Sequence, residues 1–112
     1  MPRNSQDFNA PVTAIGEELP SQFELLDNYP NPFNPSTTIE FSAGNTDRYS
    51  LRLDILDING RLVATLINGI PHTNKIVWNG QNSQGHLMPA GVYFARLTSA
   101  SASRIQKMIL LK

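Results

Sequence analysis

The sequence has no cysteine, no net charge and no long apolar run, and each absence excludes a class of protein. Without cysteine the chain can form neither a disulfide framework nor a thiolate site for a metal or a nucleophile. Nine basic residues balance nine acidic ones, which removes the bulk electrostatic argument for nucleic-acid binding. No apolar run approaches about 18 residues, so no transmembrane segment is expected. The first residues lack the apolar stretch of a secretory signal, although one could precede them in a longer protein.

Catalytic residue groupings are missing as well. The two histidines, His72 and His86, follow the last acidic residue of the chain in turn-like segments, and we expect both to be exposed loop residues. There is no Gly-x-Ser-x-Gly nucleophile motif and no glycine-rich phosphate loop. The loop over residues 79–85 is rich in oxygen ligands but contains none of the carboxylates that a calcium ion prefers. The sequence therefore predicts no enzyme, no cofactor and no metal site.

The charges are unevenly distributed along the chain. The first 57 residues carry three bases and nine acids, a net charge of −6, whereas the remainder carries six bases and no acid. One interpretation is a basic surface for an acidic partner. The other is that the two halves interleave in one fold, so that opposite charges neutralise each other across neighbouring strands.

The 112 residues are expected to form one small domain preceded by a tail. Residues 1–22 are polar, and their apolar side chains follow no period, which predicts a linker or flexible N-terminal tail. From Phe23 onward, short apolar runs alternate with turn signals, and no segment has a helical period. This pattern predicts an all-β fold over residues 23–112, an immunoglobulin-like antiparallel β-sandwich of about seven strands.

Alternation along the strands identifies the expected core. The residues predicted to face inward are Ile39, Phe41, Leu51, Leu53, Ile55, Ile76, Trp78, Tyr93, Ala95, Leu97, Met108 and Leu110, with Ile105 and Ile109 as further contributors. Three prolines flank Phe33, which predicts an extended or turn segment with Phe33 as its apolar anchor. Trp78, Tyr93 and Phe94 could instead form a sugar-stacking platform, although a small sandwich needs large apolar anchors in its core.

The dipeptide Asn59-Gly60 is a strong signal for a β-hairpin with a two-residue loop. Such a loop pairs Ile58 with Arg61. This register places Leu56 and Val63 together on the face opposite the core. Either a β-bulge near Asp57 or partial cover of that face would explain the arrangement.

Five segments of the chain resemble, in order, the motifs of one family. They are residues 29–39, residues 53–63, the segments 78–80 and 83–85 around Trp78, residues 89–97 and residues 107–112. Together they resemble the type A C-terminal sorting domain of type IX secretion cargo. The related immunoglobulin-like domain of flagellar hook-capping proteins has the same repeats, but the proline-rich opening and the terminal position favour the sorting domain. Asn79 and Asn82 stand where the family usually has aspartate, and the lysines of residues 107–112 are more widely spaced.

The resemblance implies a non-catalytic module at the end of a secreted protein. The module is expected to fold in the periplasm and to be recognised there by the outer-membrane translocon. The upstream cargo domain of the same polypeptide is then exported, and a sorting protease removes the module. The cargo then remains at the cell surface or is released. The candidate sorting residues are Tyr29, Pro30, Asn31, Pro32, Phe33, Asn34, Pro35, Gly91, Tyr93, Lys107, Leu110, Leu111 and Lys112.

Two features of the residues themselves fit this role. The prolines limit unwanted strand pairing at one edge of the sandwich. A terminal strand can be bound at its free end, which an internal strand does not offer. The alternative is a carbohydrate-binding or adhesion module attached to a secreted enzyme, which would require exposed, coplanar aromatic side chains.

Overall fold

A computed structural model describes residues 23–42 and 50–112, and these residues form seven β-strands and no helix. The strands are β1 (Glu24–Leu25), β2 (Thr37–Ser42), β3 (Leu51–Leu56), β4 (Leu62–Gly69), β5 (Lys75–Trp78), β6 (Gly91–Thr98) and β7 (Ser103–Leu110). The linker or flexible N-terminal segment predicted over residues 1–22 lies outside the described residues and stays a prediction.

The strands form two antiparallel sheets. The order is β1-β2-β5 in the three-stranded sheet and β4-β3-β6-β7 in the four-stranded sheet. Strands far apart in the sequence are neighbours, since β2 pairs with β5 and β3 pairs with β6. The predicted all-β, immunoglobulin-like sandwich of about seven strands is therefore confirmed.

Both sheets contribute alternate residues to one core, as their sequence patterns predict. The buried members of the predicted set are Ile39, Phe41, Leu51, Leu53, Ile55, Trp78, Tyr93, Ala95, Leu97, Met108 and Leu110. Ile76 is partly buried against this core. The expectations for Ile105 and Ile109 are wrong, because the inward direction of Met108 and Leu110 turns both outward. Ile105 is largely exposed, and Ile109 is not among the core residues.

The turn between β3 and β4 differs from the predicted two-residue loop. The backbone N–H of Asp57 donates to the carbonyl of Arg61 at 2.9 Å, so Asp57 rather than Ile58 faces Arg61. The Asp57 carboxylate accepts two backbone N–H groups of the loop, each at 2.9 Å, and the one from Arg61 is the main reason why the pKa of this carboxyl is lowered. Gly60 closes the longer loop with a φ of 83°. The register of β3 with β4 shifts between Ile55 and Leu56, so an irregularity of the kind a bulge produces, one of the two explanations left open by the sequence, is present just before the loop.

Candidate functional site

Residues 28–35 form a strap that runs along the outer edge of β7. The backbone N–H of Phe33 donates to the carbonyl of Ile109 at 2.9 Å, and the N–H of Leu111 donates to the carbonyl of Phe33 at 2.8 Å. These bonds make a parallel bridge between Phe33 and Leu110. The strap therefore lies beside the tail, residues 107–112, and the first and last candidate segments of the sequence form one continuous region.

The side-chain amide of Asn31 continues this pairing towards the start of the tail. Its Nδ2 donates to the carbonyl of Lys107 at 3.2 Å, and its Oδ1 accepts the backbone N–H of Ile109 at 3.0 Å. One amide thus satisfies a carbonyl and an N–H on the same edge, as a neighbouring strand would do.

The other side of the strap is attached to the three-stranded sheet. The N–H of Tyr29 donates to the carbonyl of Thr38 at 3.0 Å, and the N–H of Thr38 donates back to the carbonyl of Tyr29 at 2.8 Å. The buried amide of Asn28 donates to Thr37 Oγ1 at 2.8 Å, and that hydroxyl donates to the carbonyl of Pro30 at 2.8 Å. The strap consequently connects the two sheets, and its bond between Asn28 and Thr37 is buried.

Three buried aromatic side chains hold the strap on the core. The ring centroids of Phe33 and Trp78 are 5.6 Å apart, and those of Trp78 and Tyr93 are 5.3 Å apart, in tilted and edge-on geometry. The indole N–H of Trp78 donates to the carbonyl of Gln81 at 2.9 Å, and the Tyr93 hydroxyl donates to the carbonyl of Pro89 at 2.7 Å. Burial raises the pKa of the Tyr93 hydroxyl. The polar ends of both large rings are therefore hydrogen-bonded at the margin of the core.

Two glycines lie next to this aromatic group. A Cβ atom on Gly80 would sit 3.1 Å from the carbonyl oxygen of Pro35 and 3.7 Å from a methyl group of Leu110, and its φ of 77° favours glycine. Gly91 opens β6 opposite Leu110. The segment around Trp78, the strap, β6 and the tail thus meet in one place, although they are far apart in the sequence.

The candidate sorting residues divide into a buried and an exposed group. Phe33, Tyr93 and Leu110 are buried, and Gly91 is intermediate. The exposed residues are Tyr29, Pro30, Asn31, Pro32, Asn34, Pro35, Lys107, Leu111 and Lys112. Tyr29 and Leu111 retain 47% and 48% of their surface, so the strap and the tail together present aromatic, proline, aliphatic and basic groups to solvent.

A buried carboxylate on the outer face of the four-stranded sheet joins the two halves of the chain. Asp54 is 1% exposed and accepts hydrogen bonds from Thr65 Oγ1 at 2.8 Å, Arg52 Nε at 2.9 Å and Arg96 Nη2 at 3.2 Å. Burial raises the pKa of the Asp54 carboxyl, but the hydrogen bonds outweigh it, and the pKa lies below its usual value of 3.8. The pair with Arg96 is the predicted neutralisation across strands.

The tail carries charge that is not neutralised in this way. Within residues 23–42 and 50–112, no carboxylate lies within ion-pairing distance of Lys107 or Lys112. Neutralisation across strands therefore describes Asp54, whereas the basic surface of the other interpretation describes the tail.

Other candidate chemistry finds little support in the part of the chain that the structure describes. Trp78 and Tyr93 are core residues, as predicted, and cannot stack on a sugar. His72 and His86 are exposed in loops, as predicted. Among the described residues, no three metal-binding side chains cluster, and no helix has the length and apolar character to cross a membrane.

The segments that meet at the strap and the tail lie within the part of the chain that matches a known family. The family model described as the secretion system C-terminal sorting domain matches residues 27–111. The chain belongs to this family. The match confirms the resemblance expected from the sequence and covers the strap, the aromatic group and most of the tail of this sorting domain. No curated protein matches the chain.

Two solved structures from Porphyromonas gingivalis contain a similar fold. One is PorZ, described as an essential bacterial surface component of the type IX secretion system, with 22% identity, a TM-score of 0.59 and coverage of 85% of this chain and 12% of PorZ. The other is dimeric latent PorU, with 22% identity, a TM-score of 0.62 and coverage of 80% of this chain and 9% of PorU. At this identity the likeness concerns the fold, and the sorting domain spans only a small part of either chain.

Sequence reasoning missed two features of this region. It did not anticipate that Asn31 binds the edge of β7, since nothing in the local sequence indicates a partner in the tail. It also placed Asp54 outside the core without predicting its burial. A signal for the latter was present, because Arg52 lies two positions earlier on the same strand face.

Proposed function

We propose that this sorting domain directs a cargo protein, joined to it in the same polypeptide, across the outer membrane through the type IX secretion system. The family match over residues 27–111 carries the proposal. The domain acts in it as a folded recognition element without catalytic activity. The route passes through the periplasm, where the outer-membrane translocon binds the domain, and ends at the cell surface or in the medium.

The surface formed by the strap and the tail is the proposed recognition site. Phe33, Tyr93 and Leu110 hold its shape from within the core, whereas the exposed strap residues together with Lys107, Leu111 and Lys112 contact the translocon. The basic charge of the tail favours a partner with acidic groups at that position. A sorting protease then separates the domain from its cargo within residues 1–22, which are polar in sequence.

The test is export of a reporter protein that carries a signal peptide and is fused to the N-terminus of the full chain, in a host with the type IX machinery. Lys112→Ala should leave the free energy of unfolding within about 0.5 kcal/mol of the parent, as exposed substitutions usually do. It should nevertheless lower the secreted fraction and raise the periplasmic fraction. Lys107→Ala should act in the same direction.

The matched control is Lys75→Ala, which removes an exposed lysine from β5, away from the tail. Export by the control should equal export by the parent. Equal export by all three lysine variants would show that the tail is not bound through its charges. Retention of the unmodified fusion in the periplasm would reject the sorting function itself.

A further inference from the structure

β7 is the last strand of the four-stranded sheet, and among residues 23–42 and 50–112 no further strand pairs with its outer edge. Exposed edges of this kind are templates for pairing with another chain. Here the strap occupies the second half of the edge. It satisfies the carbonyl of Lys107, both polar backbone groups of Ile109 and the N–H of Leu111. Asn31 and Phe33 each provide two of these four bonds.

The strap does not create a new edge in place of the one it covers. Pro30, Pro32 and Pro35 have no N–H to donate. The N–H and carbonyl of Tyr29 already bind Thr38, and those of Phe33 bind β7. Most of the strap's backbone is therefore unable to continue the sheet, and strand addition ends there.

Without this cover, the same strand of a second copy is a matching partner for β7. β7 is a regular strand of eight residues that pairs with β6 over its whole length, and it contains no acidic residue. Antiparallel pairing of two copies about Lys107, with the strap displaced from Ile109 in each copy, would place Ile105 of each copy opposite Ile109 of the other. Both side chains point to the outer face, where apolar cross-strand pairs stabilise a sheet. The same register places Lys107 opposite itself, and like charges in that position repel.

From these contacts we infer that the strap is a built-in edge cover, and that the Asn31 amide keeps β7 from pairing with β7 of a second copy of this chain. Lys107 is a second barrier to the same contact. The inference concerns self-association, so its outcome does not depend on whether the domain directs export.

The experiment compares Asn31→Ala with Asn34→Ala in the full chain. Asn34 is an exposed strap residue without a side-chain hydrogen bond among the described residues, so its substitution changes the strap composition without removing an edge bond. Sedimentation equilibrium over a wide range of protein concentration should show that Asn31→Ala dimerises with a dissociation constant at least about tenfold lower than Asn34→Ala. In dilute, monomeric samples the Ile109 amide should exchange with deuterium about tenfold faster in Asn31→Ala.

A second substitution identifies the interface. Adding Lys107→Ala to Asn31→Ala should strengthen dimerisation further, because it removes the repulsion at the centre of the proposed register. If Asn31→Ala does not fold by circular dichroism, Asn31→Gln retains a polar amide one methylene too long to span both bonds, and the same increase is expected. Self-association equal to that of Asn34→Ala, or association that Lys107→Ala does not change, would overturn the inference. Faster exchange without dimerisation would overturn it as well.

Discussion

Replacing Trp78 by alanine is the most direct test of the packing that supports the strap. The indole is 1% exposed and lies between the rings of Phe33 and Tyr93. Its N–H also donates to the carbonyl of Gln81 at 2.9 Å. Truncation therefore removes a large apolar contact, opens a cavity beneath the strap and leaves the partly buried carbonyl of Gln81 without its donor.

These losses can be expressed as a free energy of unfolding. Truncating a buried tryptophan to alanine costs about 3–5 kcal/mol, including the cavity that remains. Trp78→Phe retains part of the apolar contact but leaves the carbonyl of Gln81 unpaired, for which about 1–3 kcal/mol is expected. Because a small domain has a total stability of about 5–15 kcal/mol, the alanine variant should lose a large share of it, and the phenylalanine variant should be intermediate.

Urea denaturation followed by far-ultraviolet circular dichroism measures these differences without relying on the fluorescence of the substituted residue. The matched control is Val77→Ala, which changes the preceding residue of β5, whose side chain is 57% exposed. The control should stay within about 1 kcal/mol of the parent, the range expected for strand propensity. A loss below about 1 kcal/mol for Trp78→Ala would show that the indole does not anchor the core.

Two further predictions concern charge and backbone conformation. Because the pKa of Asp54 is lower in the folded chain than its usual value of 3.8, its ionised form stabilises the fold above about pH 4, and this stabilisation is lost as the pH falls through the folded pKa. Asp54→Asn should therefore reduce the loss of unfolding free energy between about pH 5 and about pH 2 in urea titrations, and an unchanged pH dependence would contradict the assignment. Gly80→Ala should destabilise by about 1–3 kcal/mol and by more than Gly85→Ala, because Gly85 has a similar φ of 84° but no atom within 4 Å of its Cβ position. Equal losses in the two glycine variants would mean that the contact with Pro35 is unimportant.

The strands and most of the core could be predicted because their signals are local. Ile39 and Phe41 alternate with polar neighbours in β2, and the same period places Leu51, Leu53 and Ile55 on one face of β3. Each such pattern determines which side of a strand is buried without reference to any other strand. The number of strands and the class of fold follow from the sum of these patterns.

The strap and its contact with the tail could not be predicted in this way. The bonds between Asn31 and the tail join residues that are 76 and 78 positions apart, and no periodic pattern links them. The β3–β4 turn illustrates the same limit at short range. Asn59-Gly60 predicts a tight loop, but the side chain of Asp57 binds the loop backbone and selects a longer one.

The residues by which the family is identified in the sequence differ from the residues that a binding partner could contact. Phe33, Trp78, Tyr93 and Leu110 lie in the segments that make the family recognisable, yet all four are buried. A protein that binds the folded domain cannot contact these buried side chains. Their pattern therefore indicates how the strap is packed on the core, and it does not identify the surface that a partner binds. The side chains available to a partner are those that the same packing leaves outside, above all Lys107, Leu111 and Lys112 beside the strap. A loss of export in a core variant would therefore measure folding, and only exposed substitutions with unchanged stability can identify the recognition surface.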